Sequence, residues 1–152
     1  MNILLIRPKP DKRTIGLQSV MICEPLELMI LKAVLKHNGH NVTILDMIIE
    51  KKPLRHYIHL HQPDVAGITG YISHVNVMKE YARIIKSVNS DIQVYCGGVH
   101  AEVCPEDFYC ESIDRVCKSA NDFYNAIGCR DLEHRLPDLE GRNSPNKTDI
   151  IK

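Results

Sequence analysis

The sequence predicts an α/β protein, a doubly wound five-stranded parallel sheet of Rossmann-like or flavodoxin-like type with helices on both faces. Short aliphatic runs alternate with helical stretches five times, an order that closes into a parallel sheet. The first run, residues 2–6, is apolar along its length, as a strand covered on both faces is. At 152 residues the chain suits one domain and can bury a sizeable core.

The elements follow in order. Residues 2–6 form an apolar first strand. Residues 25–38 repeat Leu26, Met29, Ile30, Ala33 and Val34 at helical spacing, with Pro25 suited to the first turn and Gly39 to a left-handed stop. Residues 41–46 are a second strand, and 53–61 a short helix ending in a turn at Gln62 and Pro63. Residues 64–69 are a third strand. Ser73 is then expected to cap a helix with Val75, Met78, Ala82 and Ile85 on one face. Residues 91–96 are a fourth strand, broken by Gly97 and Gly98. One or two helical turns are expected over 105–111 and a weak fifth strand over 113–117. Ser119 caps the last helix, with Asp122 in capping-box position and Gly128 as its stop. The predicted domain is residues 1–128. Residues 129–152 are charged, lack aromatics and are interrupted by Pro137, Gly141 and Pro145, so they read as a linker or tail.

Composition excludes several classes. Nineteen basic and 19 acidic residues give zero formal net charge, against the basic excess of a nucleic-acid binder. No apolar run approaches the ~18–20 residues of a membrane span. The first residues lack the basic region and cleavage pattern of a signal peptide. Aromatics make up 5% and Trp is absent, so the core is expected to be aliphatic. Six cysteines are irregularly spaced without a CxxC pair, against a zinc ribbon. They also lack a CxxxCxxC triplet, so no iron–sulfur cluster of a radical enzyme is expected in this chain. Reduced thiols and a cytoplasmic location are the corresponding expectation.

Doubly wound sheets bind ligands beyond the carboxyl ends of their strands, where strand order reverses. Three segments therefore matter: 7–24, 69–73 and 97–104. The first is a long loop containing Pro8 and Lys9, without GxGxxG or GxxxxGKS, which removes a nucleotide-hydrolase reading. It is either a functional lid or a solvated loop. Thr69, Gly70 and Ser73 offer a small polar edge, with Ser73 also accounted for by capping alone. Gly97 and Gly98 either admit a flat ligand close to the backbone or make a turn needing positive φ. Val99 and His100 follow them into the crevice. His56 and His59 share a helix face but lack a third ligand, and no metal site is expected from them. No catalytic triad or paired carboxylates can be assembled.

Several of these stretches together resemble a known family. They are residues 2–8, residues 24–28 running to Val42 and Asp46, Val65 to Thr69, and Cys96 to Ala101 followed by Pro105 and Glu106. In this order the chain up to about Cys117 resembles the cobalamin-binding domain at the N-terminus of many radical S-adenosylmethionine enzymes. The resemblance implies a corrinoid held at the carboxyl edge of the sheet, contacting Pro8, Lys9, Thr69, Gly70, Ser73, Gly97, Gly98, Val99 and His100. Its nucleotide tail would run between strand ends. It also implies a carrier that is not catalytic alone and works with a radical S-adenosylmethionine domain, with neither nucleic acid nor membrane as partner.

Two departures stand out. Classical corrinoid domains carry DxHxxG in the first loop, whose His ligates cobalt. Here Asp11 to Gly16 has Arg13 in that place, and a guanidinium has no lone pair to give, so no protein cobalt ligand is expected there. A Gly-Glu-rich stretch common after strand five is replaced by residues 118–122. The alternative is a domain of the same fold that lost its ligand and acts as an interaction or regulatory module.

Overall fold

The computed structural model describes residues 1–13 and 24–130. Most of the expected first loop, including Gly16 and Cys23, and nearly all of the expected tail lie outside the described residues.

Five strands, β1 (Asn2–Arg7), β2 (Asn41–Asp46), β3 (Val65–Thr69), β4 (Gln93–Gly97) and β5 (Arg115–Val116), form one sheet in the order β2-β1-β3-β4-β5. Every pairing is parallel. The helices are α1 (Leu26–His37), α2 (Leu54–His61), α3 (Val75–Val88), α4 (Val99–Val103) and α5 (Ala120–Ile127). The predicted fold class is therefore present.

The alternation of side chains along β1 divides the core in two. Leu4 and Ile6 face α2 and α3, packing with Ile58, Met78, Ala82 and Ile85. Ile3 and Leu5 face α1 and α5, packing with Leu28, Leu35, Phe123 and Ile127. Nearly complete removal of these aliphatic side chains from water stabilises the sheet by about 1.5–3 kcal/mol each. Among the described residues no helix is long and apolar enough to cross a membrane.

Four expectations need correction. The apolar face predicted for α1 is displaced: Leu26, Met29 and Ile30 are 65%, 45% and 46% exposed, and Ala33 is exposed as well. Of the expected set only Val34 is buried, and Leu28 and Leu35 join it. The helix carries apolar residues on more than one face, so periodicity alone left its rotation undecided.

Ser73 is not the cap of α3. It sits inside a 3₁₀ turn, Ile72–His74, and His74 takes the cap position without a side-chain bond. The fifth strand is two residues long. Backbone bonds from Asp114 to Val94 and from Cys117 to Cys96 extend its pairing on either side. Helical structure begins at Val99, directly after Gly98, ahead of the expected turn that forms at Pro105–Phe108.

The last helix agrees with the sequence. The Ser119 hydroxyl accepts from the Asp122 amide at 3.1 Å, and Gly128 stops the helix at φ 82°. Asp122 differs from a capping box: its carboxylate accepts from Arg115 Nη2 at 2.8 Å and from the Lys118 amide at 3.1 Å. Ser119→Ala should cost about 1 kcal/mol of stability by urea unfolding, the usual worth of a lost N-cap.

Candidate functional site

The strand order reverses beside β1, which lies between β2 and β3, so a crevice opens between the carboxyl ends of β1 and β3. Two adjoining clefts occupy this edge. The first, of about 340 Å³, lies between the sheet and helices α1 and α5. Its floor includes Leu5, Gly67 and Tyr95, and its rim Gly97, Gly98 and Ser119. The second, of about 490 Å³, lies over the strand ends beside Arg7, Pro8, Gly70, Tyr71 and His74. Glu27, Leu28, Thr69 and Val99 line both, so the two share a wall.

The depth of the first cleft depends on a glycine within a strand. A Cβ on Gly67 would stand 3.1 Å from the Phe123 ring and 3.2 Å from Leu5 Cδ2. Phe123 in turn meets Tyr95 edge-on, with centroids 6.0 Å apart. A larger residue at 67 would displace Phe123, which lines the cleft. Cys117 lines it too, and burial pushes its thiol up to about 11, so that wall is protonated and neutral near pH 7. Burial pushes the Cys96 thiol up as well. Cys96, Cys104, Cys110, Cys117 and Cys129 are free thiols.

Gly97 and Gly98 separate into two roles. Gly98 has φ +110°, and a Cβ there would lie 2.5 Å from the Gly70 carbonyl oxygen. The loops after β3 and β4 thus cross with no side chain between them. A Cβ on Gly97 would meet only Cys117, at 3.5 Å from its carbonyl oxygen.

At the other side of the crevice Arg7 and Asp46 face each other in register across β1 and β2. Arg7 Nε donates to Asp46 Oδ1 at 3.0 Å, and Nη2 donates to Oδ2, a two-pronged pair. Asp46 Oδ1 also accepts from the Ile48 amide at 3.1 Å.

His74 is 3% exposed. Its Nδ1 accepts from the Tyr71 amide at 3.0 Å, so the neutral ring carries its proton on Nε2. That Nε2 is buried without a hydrogen-bond partner among the described residues. Burial lowers the His74 pKa from its ordinary 6.5.

The predicted site residues fall into three groups. Thr69, Gly97, Gly98 and Val99 line the first cleft, and Pro8, Gly70, Thr69 and Val99 the second. Lys9, Ser73 and His100 line neither. The Lys9 amide donates to the Tyr81 hydroxyl at 3.4 Å. His100 Nε2 is 2.7 Å from Asp107 Oδ2, and its ring packs against Phe108.

Sequence reasoning missed Glu27, Gly67, Phe123 and His74. Gly67 left a readable trace, since a glycine inside a strand marks close approach. His74 left none, because its burial depends on the 3₁₀ turn. Arg13, in the place of a cobalt-ligating His, is exposed and bonds through its amide to Asp11.

The fold is a doubly wound five-stranded parallel sheet of Rossmann-like or flavodoxin-like type. The family described as B12 binding domain matches residues 12–127, so the chain belongs to the B12 binding domain family. It is 30% identical over 126 residues to the uncharacterized methyltransferase PH0819 of Pyrococcus horikoshii, covering 78% of this chain and 26% of that protein. The chain thus spans about a quarter of that relative's length. A novel cobalamin-binding protein from Desulfitobacterium hafniense has a similar fold, with TM-score 0.58 and 19% identity. The match covers 84% of this chain and 57% of the other.

Two outcomes are expected. Gly98→Ala should cost about 3 kcal/mol by urea unfolding, from positive φ and the clash with Gly70, while Gly97→Ala should cost less than about 1 kcal/mol. Lowering pH should lower the melting temperature. The unfolded chain protonates His74 near 6.5 and the folded chain only below that, so its contribution is full above 6.5 and lost as pH falls toward the folded pKa. His40, also lowered by burial, adds to the slope. His74→Asn, which keeps an acceptor for the Tyr71 amide, should flatten the profile between about pH 7 and 5.

Proposed function

We propose that residues 1–128 are a cobalamin-binding module that holds a corrinoid over the second cleft and its nucleotide tail in the first. The observation that carries this reading is the pair of adjoining clefts at the strand-order reversal, the first deepened by the bare backbone of Gly67. The first cleft falls at the lower end of the ~300–1,000 Å³ range of small-molecule sites, as suits one arm of a large ligand rather than the whole. Its largely apolar walls suit a flat base, with Glu27, Glu102 and Lys118 as the charged residues that line it. Thr69, the Ser119 hydroxyl and the backbone at Gly97 stand at its edge for the polar parts of the tail.

The chain's own residues bind and orient, and the cobalt supplies any methyl-transfer chemistry. Arg13 offers no lone pair. His74 offers none from Nε2 while Nδ1 accepts from Tyr71. Lys9, Ser73 and His100 belong to this reading only as neighbours of the crevice.

Exposed apolar side chains surround the opening, among them Leu26, Ile30, Tyr71 and Val99. Contiguous apolar surface of this kind marks a surface that a ligand or partner covers. The partner in this reading is a radical S-adenosylmethionine domain, approached through residues 129–152. The methyltransferase description of the Pyrococcus relative and the cobalamin-binding description of the Desulfitobacterium protein support the cobalamin part of the reading, and the radical S-adenosylmethionine partner rests on the sequence resemblance alone.

Purified protein mixed with hydroxocobalamin and desalted should retain about one equivalent by visible absorbance. A colourless protein, with methylcobalamin as well, would sink the reading and favour the ligand-free interaction module. Ala120→Trp, at an exposed position on the rim of the first cleft, should weaken retention by at least about tenfold, or ~1.4 kcal/mol, with the circular dichroism unchanged. Arg13→Ala should leave the spectrum of the bound corrinoid as it is.

A further inference from the structure

We propose that His100, Cys104 and Asp107 form a binding site for one divalent metal ion of the zinc class, separate from the corrinoid crevice. One ring nitrogen of His100, Cys104 Sγ and a carboxylate oxygen of Asp107 all lie within 4.8 Å of one another. One imidazole, one thiolate and one carboxylate make a borderline-soft set that favours Zn²⁺ or Co²⁺ over the hard ions Mg²⁺ and Ca²⁺. Water takes the fourth position of a tetrahedral ion.

The backbone fixes this geometry. His100 and Cys104 are one helical turn apart, and the Cys104 amide donates to the His100 carbonyl at 2.8 Å. The Asp107 amide donates to the Cys104 carbonyl at 3.2 Å, so consecutive turns carry the three donors within eight residues. The His100 side chain is 11% exposed and its ring rests on the fully buried Phe108. Asp107 is 52% exposed and gives the ion its way in. Ligand distances of about 2.0 Å to N and O and 2.3 Å to S put tetrahedral donors about 3.3–3.6 Å apart. The Asp107 oxygen, now 2.7 Å from the imidazole, therefore needs only a small outward rotation.

Binding exchanges protons for the ion. The Cys104 S–H bond breaks, the metal–sulfur bond forms, and one proton leaves to solvent for each ion. In the bound state the coordinating ring nitrogen of His100 gives its lone pair and the other ring nitrogen carries the proton. The oxidation state of the metal does not change. The ion would fix α4, whose Val99 lines both clefts and whose Glu102 lines the first, so loading would order one rim of the crevice.

The test uses the full chain, free of corrinoid, reduced and stripped with a chelator. Titration with Co²⁺ should give one equivalent with a near-ultraviolet thiolate-to-cobalt charge-transfer band, and Zn²⁺ should displace it. Cys104→Ser should abolish the band, and Cys110→Ser should leave it. Asp107→Asn, at an exposed position that puts the fold at little risk, should weaken binding at least about tenfold. The proposal is overturned by the absence of a band up to about 1 mM Co²⁺. It is equally overturned by a band that survives Cys104→Ser, or by unchanged affinity in Asp107→Asn. Because corrinoid is absent throughout, these results stand apart from the cobalamin reading.

Discussion

The edge of the sheet is organised by a crossing of backbones. Gly98 lies so close to Gly70 that one added carbon would fall inside the Gly70 carbonyl, and its φ of +110° is open to few other residues. The contact joins the loops after β3 and β4 without a side chain between them. Two features depend on that crossing: α4 starts directly at Val99, and the first cleft keeps an open rim. Gly70 is constrained from its other side as well, since a Cβ there would lie 2.8 Å from His74 Cβ. The glycines, His74 and Met78 form one packed stack.

Most of the architecture was legible because it rests on period and punctuation. Aliphatic runs, Gly39, Gly128 and Ser119 each act locally, and the structure agrees at each. Where tertiary packing decides, the sequence was silent or misleading. The rotation of α1 depends on which apolar stripe meets Ile3 and Leu5, and several stripes compete. The cap of α3 depends on a 3₁₀ turn that no residue type announces. The site was legible through topology, since the reversal of strand order locates the crevice whichever residues fill it. Gly97 and Gly98 looked alike in sequence, whereas one serves conformation and the other borders open space.

Belonging to the B12 binding domain family also bears on the charge balance. The crevice holds Arg7, but Asp46 answers it across the strands, and Glu27 stands nearby. The pair ties β1 to β2 at the edge where the first loop leaves, and a two-pronged guanidinium–carboxylate contact fixes direction as well as distance. The region is polar without a strong field of one sign, which fits recognition by shape and hydrogen bonds.

Cys117 gives the first cleft a chemical character beyond its shape. With its pKa near 11, only about one molecule in ten thousand carries a thiolate at neutral pH. Sulfur attacks alkyl groups and electrophilic centres as the thiolate, so this wall is nucleophilically silent. Whatever rests in the first cleft therefore meets a neutral sulfur there rather than an attacking one.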